Sequence, residues 1–281
     1  TVRRGNERVL KARLADAEFF VQADRNLASI DRRDQLARVT FAEGLGSLLD
    51  RVERLEWFTD VLLEQLALSA TTGDHARRAA HLCKHDLVSQ MVGEFPELQG
   101  VMGGKYLLAE GEPREVALAV LEHYLPRGAG DDLPASDAGA VVALAERLEL
   151  LLSIYAKGER PTGSSDPYAL RRAGNGVLQI LWERGWTLDL QQLLERATVH
   201  WAELLPQFHV EASALAAELG LQFLEVEQVA KAHLCEVGLE LLGLHLAFEG
   251  LLSLFPLERQ ADVFGALLLV VPAVADGAAG G

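Results

Sequence analysis

The sequence predicts an all-α fold. Apolar residues recur at spacings of three and four along nearly its whole length, the pattern of helices that bury one face. No stretch sustains the period-two alternation of a strand. Capping and turn residues separate the apolar runs at helix-length intervals, and no internal repeat of fixed period is visible.

The elements follow in order. Residues 6–24, NERVLKARLADAEFFVQAD, place Val9, Leu10, Leu14, Ala17 and Phe20 on one face, with Asn6 as N-cap and Glu7 in the first turn. Residues 42–68 continue through Leu45, Leu48, Leu49, Val52, Leu55, Phe58, Val61 and Leu62. In residues 71–95 the pair Gly73-Asp74 reads as a turn, Asp74 as the cap of the next helix, and Pro96 as its end. LQGVMGGKY, 98–106, reads as a glycine-containing connector, in which Gly100 permits a tight reversal around a buried Phe95 and Leu98. EPREVALAVLEHYL, 112–125, is a helix with Pro113 at or near its first position. The loop 126–137 carries Pro126, Gly128, Gly130 and Pro134. A helix follows over 138–157 and stops at Gly158. After the loop ERPTGSSDP come helices over 168–185 and from Asp189 to 205. Pro206 marks a boundary, beyond which two or three more apolar helices and a frayed Gly/Ala end are expected.

The charge is uneven. Residues 1–60 are balanced, whereas 206–281 hold 2 basic against 10 acidic residues within a net charge of −15. An acidic surface repels phosphate, so any RNA contact must come from local arginine patches. Cys83 and Cys235 form no CxxC pair, which excludes a zinc knuckle and favours reduced thiols in a cytoplasmic protein. The apolar run 266–275 is too short to span a bilayer and contains Pro272. No signal peptide is visible, and the opening at Thr1 reads as a piece of something longer. No P-loop is present: GVMGGKY has the wrong glycine spacing, and Tyr106 stands where Ser or Thr would hold magnesium. GxGxxG, GxSxG and HExxH are absent, as are the short ATP-gripping signatures of one synthetase class.

HLCKHD poses the sharpest chemical question. His81 and His85, four apart on a helix, would share a face with Asp86 beside them and could reach one cation. His…His-Asp…Asp is the signature of HD-type metal phosphohydrolases. His123 and Asp131 stand at plausible places for further ligands, but the late helix offers Glu146 and Glu149, and residues 1–74 contain no histidine. A metal needs three or four protein ligands. The expectation is therefore no metal, with His81, His85, Asp86 and His123 as the weaker alternative and Cys83 in the core.

The stretch DLVSQMVGEFPELQGVMGGKYLLAEGEPREVALAVLEHYLPRGAGDDLP resembles the β subunit of bacterial glycyl-tRNA synthetase, the form built from separate α and β chains. GNERVLKARLADAEFF and LGSLLDRVERLEWF upstream, and ALAERLELLLSIYAKGERPTGSSDPYALRRAGNGVLQIL downstream, carry the same resemblance. It covers roughly 3–205 and fades after about 212. It implies an HD-like helical bundle over 1–205, the middle of a longer subunit, with additional C-terminal helices over 206–281. In that family the domain is read as an HD relic without its metal set. The position of His85 is commonly a small residue there, and Glu146 and Glu149 replace aspartates. Gly174, where alanine is usual, implies a late or weakened helix start. The tail is a doubtful anticodon reader.

What the resemblance implies about function is ATP-dependent glycylation of tRNA(Gly) by an α2β2 assembly, with glycine, ATP and Mg handled by the α subunit. This piece would be a non-catalytic scaffold without a cofactor of its own. Arg171, Arg172, Lys157 and Arg160 are the expected tRNA contacts, unless the arginines pair with Asp166 to hold the loop. The rival readings are an HD-type metal-dependent phosphohydrolase and a bare helical interaction module docking through its acidic tail. No membrane association is expected.

Overall fold

One helix organises the molecule. In the computed structural model, which describes residues 2–128, 130–159, 161 and 165–204, α8 (Asp137–Ala156) is apolar nearly all round and buried along most of its length. A helix of that composition is stable only when neighbours surround it. Those neighbours are α3 (Leu48–Gln65), α4 (Ala70–Leu82), α7 (Arg114–Glu122), α9 (Leu170–Arg184) and α10 (Leu190–Leu204). Leu144, Leu148 and Leu152 of α8 and Val52, Leu55 and Phe58 of α3 belong to one continuous core. The described residues contain no strand, only an isolated bridge between Thr40 and Ser47. The all-α expectation holds.

A second layer lies beside this core. α1 (Val2–Asp24) packs on α5 (Gln90–Glu94), and α6 (Val101–Glu110) packs on α7. Met91, Val92, Met102 and Tyr106 form a satellite cluster with Ala17, Phe20 and Val21 of α1 against it. The short α2 (Ser29–Gln35) is fixed where the Glu110 carboxylate accepts from Ser29 N and Oγ. Asp24, at the end of α1, accepts from Gln90 N, Met91 N and Tyr106 Oη, so it caps α5 and ties the two layers.

Several sequence expectations need correction. α1 begins before Asn6, which is inside the helix and not its cap. Val9, Leu10 and Leu14 are 62%, 62% and 69% exposed, so this part of the apolar stripe is uncovered among the described residues. α3 begins at Leu48 with a reciprocal Ser47–Asp50 capping box, six residues later than its apolar pattern. α4 runs through Gly73-Asp74, because Ser69 caps it by accepting from Thr72 N. α4 then ends at Leu82, so His85 is on a separate 3₁₀ turn, His85–Val88. The supposed connector at Gly103-Gly104 is α6. Phe95 and Leu98 are partly buried, packed on the satellite cluster. α9 passes unbroken through Gly174. The ends of α8 and α9 agree with the sequence reading, Gly158 and Gly185 having positive φ, whereas α7 stops at Glu122, three residues before the expected end at 125. Cys83 is a free thiol in the core, its pKa pushed up to about 12, chiefly by burial. Cys235 and the expected helices beyond Pro206 lie outside the described residues.

Candidate functional site

The HLCKHD segment divides between two structures. His81, in the last turn of α4, is partly exposed, and its Nδ1 is 2.8 Å from Glu56 Oε1. Arg33 joins them, donating to the His81 carbonyl and to Glu56. Lys84 then adopts φ 65° and turns the chain away. A left-handed conformation costs a lysine roughly 1–2 kcal/mol, so the surroundings must fix it. They do: the Lys84 side chain is buried, with Nζ 2.9 Å from Glu146 Oε2 and 4.5 Å from the centre of the Tyr124 ring.

His85 and Asp86 are fully buried and serve the backbone of α6. The Asp86 carboxylate Oδ2 accepts from Gly100 N at 2.6 Å and Gly103 N at 2.9 Å, capping the start of that helix. His85 Nε2 lies 3.2 Å from the Gly103 carbonyl and Nδ1 3.4 Å from Arg32 Nη1. Only the tautomer with the proton on Nε2 satisfies both contacts. Burial, with Arg32 next, holds the His85 pKa down to about 4. This docking explains the glycines. A Cβ on Gly103 would stand 3.1 Å from Asp86 Oδ2, and one on Gly104 only 2.7 Å from the Ala117 carbonyl oxygen of α7.

A buried ion network fills the interior nearby. Arg51 donates to Glu149 (2.6 Å) and Glu146 (2.9 Å), and Arg54 Nε donates to Glu149 (2.9 Å). Ser153 Oγ adds a third bond to Glu149. Burial pushes the Glu146 carboxyl up, but Arg51 and then Lys84 outweigh it and hold its pKa at about 2. Lys84, Arg51 and Arg54 thus already neutralise Glu146 and Glu149. His123 is buried beside Lys84, donates to the Val120 carbonyl, and has a pKa depressed to about 3, first by burial and then by Lys84.

The metal alternative is therefore not assembled. His81, His85, Asp86 and His123 face different partners, and Asp131 is exposed, accepting from Arg127 N. Among the described residues no three His, Cys, Asp or Glu side chains converge as ligands would. The sequence reading missed Lys84, Arg51 and Arg54. Their signal was present: Glu146, Arg147 and Glu149 interrupt a largely apolar helix, and buried carboxylates require buried cations.

Of the expected RNA contacts, Arg171 and Arg172 are exposed on the first turn of α9. Asp166 accepts from the backbone N–H groups of Leu170 and Arg171, acting as a cap for that turn. Lys157 lies past the end of α8, 3.4 Å from Glu159 Oε1 and near the Tyr168 ring. Arg160 lies outside the described residues. No helix among those residues is long and apolar enough to cross a membrane.

Known proteins place this arrangement in context. The family profile described as glycyl-tRNA synthetase beta subunit matches residues 1–232, twenty residues past the point where the resemblance was expected to fade. A glycine–tRNA ligase beta subunit of Acaryochloris marina is 49% identical over 211 residues, covering 75% of this chain and 30% of the relative. Those of Trichodesmium erythraeum and Chromohalobacter salexigens are 47% and 49% identical over 218 and 200 residues, covering 78% and 71% of the chain and 30% and 29% of each relative. The chain thus spans under a third of the length of the curated relatives it matches. With a profile match over most of its residues, the chain belongs to the glycyl-tRNA synthetase beta subunit family.

Proposed function

We propose that this chain is the HD-like helical scaffold of a glycine–tRNA ligase β subunit. In this reading the ligase is a cytoplasmic α2β2 enzyme that glycylates tRNA(Gly), and the α subunit performs the chemistry with ATP and Mg. Family membership carries the reading. The buried polar groups support it, because His85, Asp86, Glu146 and Glu149 are engaged by other groups of the protein. No specific observation favours metal-dependent hydrolysis or a bare docking module.

Arg171, Arg172 and Lys157, with Arg160 beside them in sequence, are the proposed phosphate contacts. The test is an α2β2 enzyme whose full-length β subunit carries Arg171→Glu and Arg172→Glu. Each phosphate contact adds roughly 0.7–0.9 to the slope of log affinity against log salt. The double variant is expected to lower that slope by about 1.5 and to raise KM for tRNA about tenfold with ATP binding unchanged. Unaltered tRNA affinity and slope would remove these arginines from the interface.

A further inference from the structure

Residues 3–4 and 6–16 of α1 are exposed, whereas Ala17, Phe20 and Val21 pack on the satellite cluster. Residues 2–13 hold five basic side chains against one acidic, in a chain of net charge −15. Two of the five are engaged: Arg3 pairs with Glu7, and Arg13 pairs with Glu94 and lies over the Phe95 ring. Arg4, Arg8 and Lys11 have no ionic partner among the described residues. Their spacing of four and then three residues puts them within about 60° of arc on one helix face, along roughly 10 Å of axis. Val9 and Leu10 are displaced from each of the three by about 100° or more.

Like charges four residues apart oppose a helix, so Arg4 and Arg8 contribute nothing to α1 by themselves, and a line of anions would relieve their repulsion. The backbone of RNA presents such a line. Its wide, shallow minor groove offers phosphates and 2′-hydroxyls to an element lying along it, and an exposed stretch of helix has the form to do so. A protein partner fits less well, because the cores of protein interfaces are depleted in charge and enriched in aromatic side chains. The face that carries Arg4, Arg8 and Lys11 holds no large apolar residue.

We propose that Arg4, Arg8 and Lys11 bind backbone phosphates of tRNA(Gly), as a contact additional to Arg171 and Arg172; this rests on the ligase reading above. The two sets are on different elements, α1 packing on α5 and α9 on α8. The test is an α2β2 enzyme whose full-length β subunit carries Arg4→Gln, Arg8→Gln and Lys11→Gln. Glutamine has a helix propensity close to that of Arg and Lys, and all three positions are exposed, so the fold is retained. The triple variant should lower the slope of log affinity for tRNA against log salt by about 2–2.7 and weaken binding at least ~10-fold. Arg4→Lys with Arg8→Lys keeps all three charges and should keep the slope. An unchanged slope in the triple variant would overturn the proposal; a loss of affinity on Arg171→Glu and Arg172→Glu in the same assay would then leave the ligase reading standing. An unmodified enzyme that does not bind tRNA(Gly) would overturn both. A triple variant with the parental slope whose α and β subunits no longer sediment together would assign the face to a protein contact and overturn the RNA contact equally.

Discussion

Asp86 and His85 act on the peptide groups of another helix. Asp86→Ala removes the acceptor of Gly100 N and Gly103 N. Its expected cost is about 1–2 kcal/mol, the range for a lost helix cap, read from the midpoint of urea unfolding. Asp86→Asn retains an acceptor and should lose less. The two buried histidines also set an acid limit. Burial depresses the folded pKa of His85 to about 4 and of His123 to about 3, from an ordinary 6.5. Below pH 6.5 the unfolded chain binds protons that the folded chain refuses, so stability falls with pH. The loss grows from 6.5 down to about 4 for His85 and about 3 for His123. Glu146 adds a second loss between 4.5 and about 2, where its protonation releases the Arg51 and Lys84 contacts. Urea midpoints should therefore be level just above pH 6.5 and decline below it. His85→Gln should make the decline above pH 4 shallower, leaving the share that belongs to His123.

At the scale of elements, α6 and α7 touch because two glycines let them. Gly104→Ala gains helix propensity of about 1 kcal/mol, yet its new Cβ would meet the Ala117 carbonyl oxygen at 2.7 Å. The obstacle is backbone, so the helices must separate, and overpacking of this kind costs typically 1–3 kcal/mol. The net expectation is a lowered melting temperature. Gly93→Ala in α5 is the control. Nothing lies within 4 Å of its added Cβ, and it should stabilise by about 0.5–1 kcal/mol. Sequence pattern read α6 as a connector because glycine marks both loops and close helix contacts. It read α4 as reaching His85 because neither Gly nor Pro stands at the break. Lys84 makes that turn instead, secured by a side-chain ion pair. α1 shows the converse: its heptad-like stripe is real, but nothing among the described residues covers Val9, Leu10 and Leu14.

For the whole molecule, the buried ions connect what the apolar core only packs. Glu149 joins Arg51 and Arg54 of α3 to α8, across a sequence separation of 98 residues for the Arg51 contact. Glu149→Gln leaves two buried guanidinium groups short of a counter-charge. Breaking a buried pair in this way costs about 3–5 kcal/mol, which equilibrium unfolding would register directly. By itself the sequence determined the all-α class, the ends of two helices, most of the apolar core positions and the family, since these depend on local periodicity, caps and runs of characteristic residues. Only the tertiary structure decided what the polar residues do. His81, His85 and Asp86 are neighbours in sequence, yet one faces Glu56 and the others face α6. Periodicity describes one helix at a time, whereas a buried charge is defined by the partner that neutralises it. Here that partner comes from a distant element, with no regular spacing in the chain to announce it.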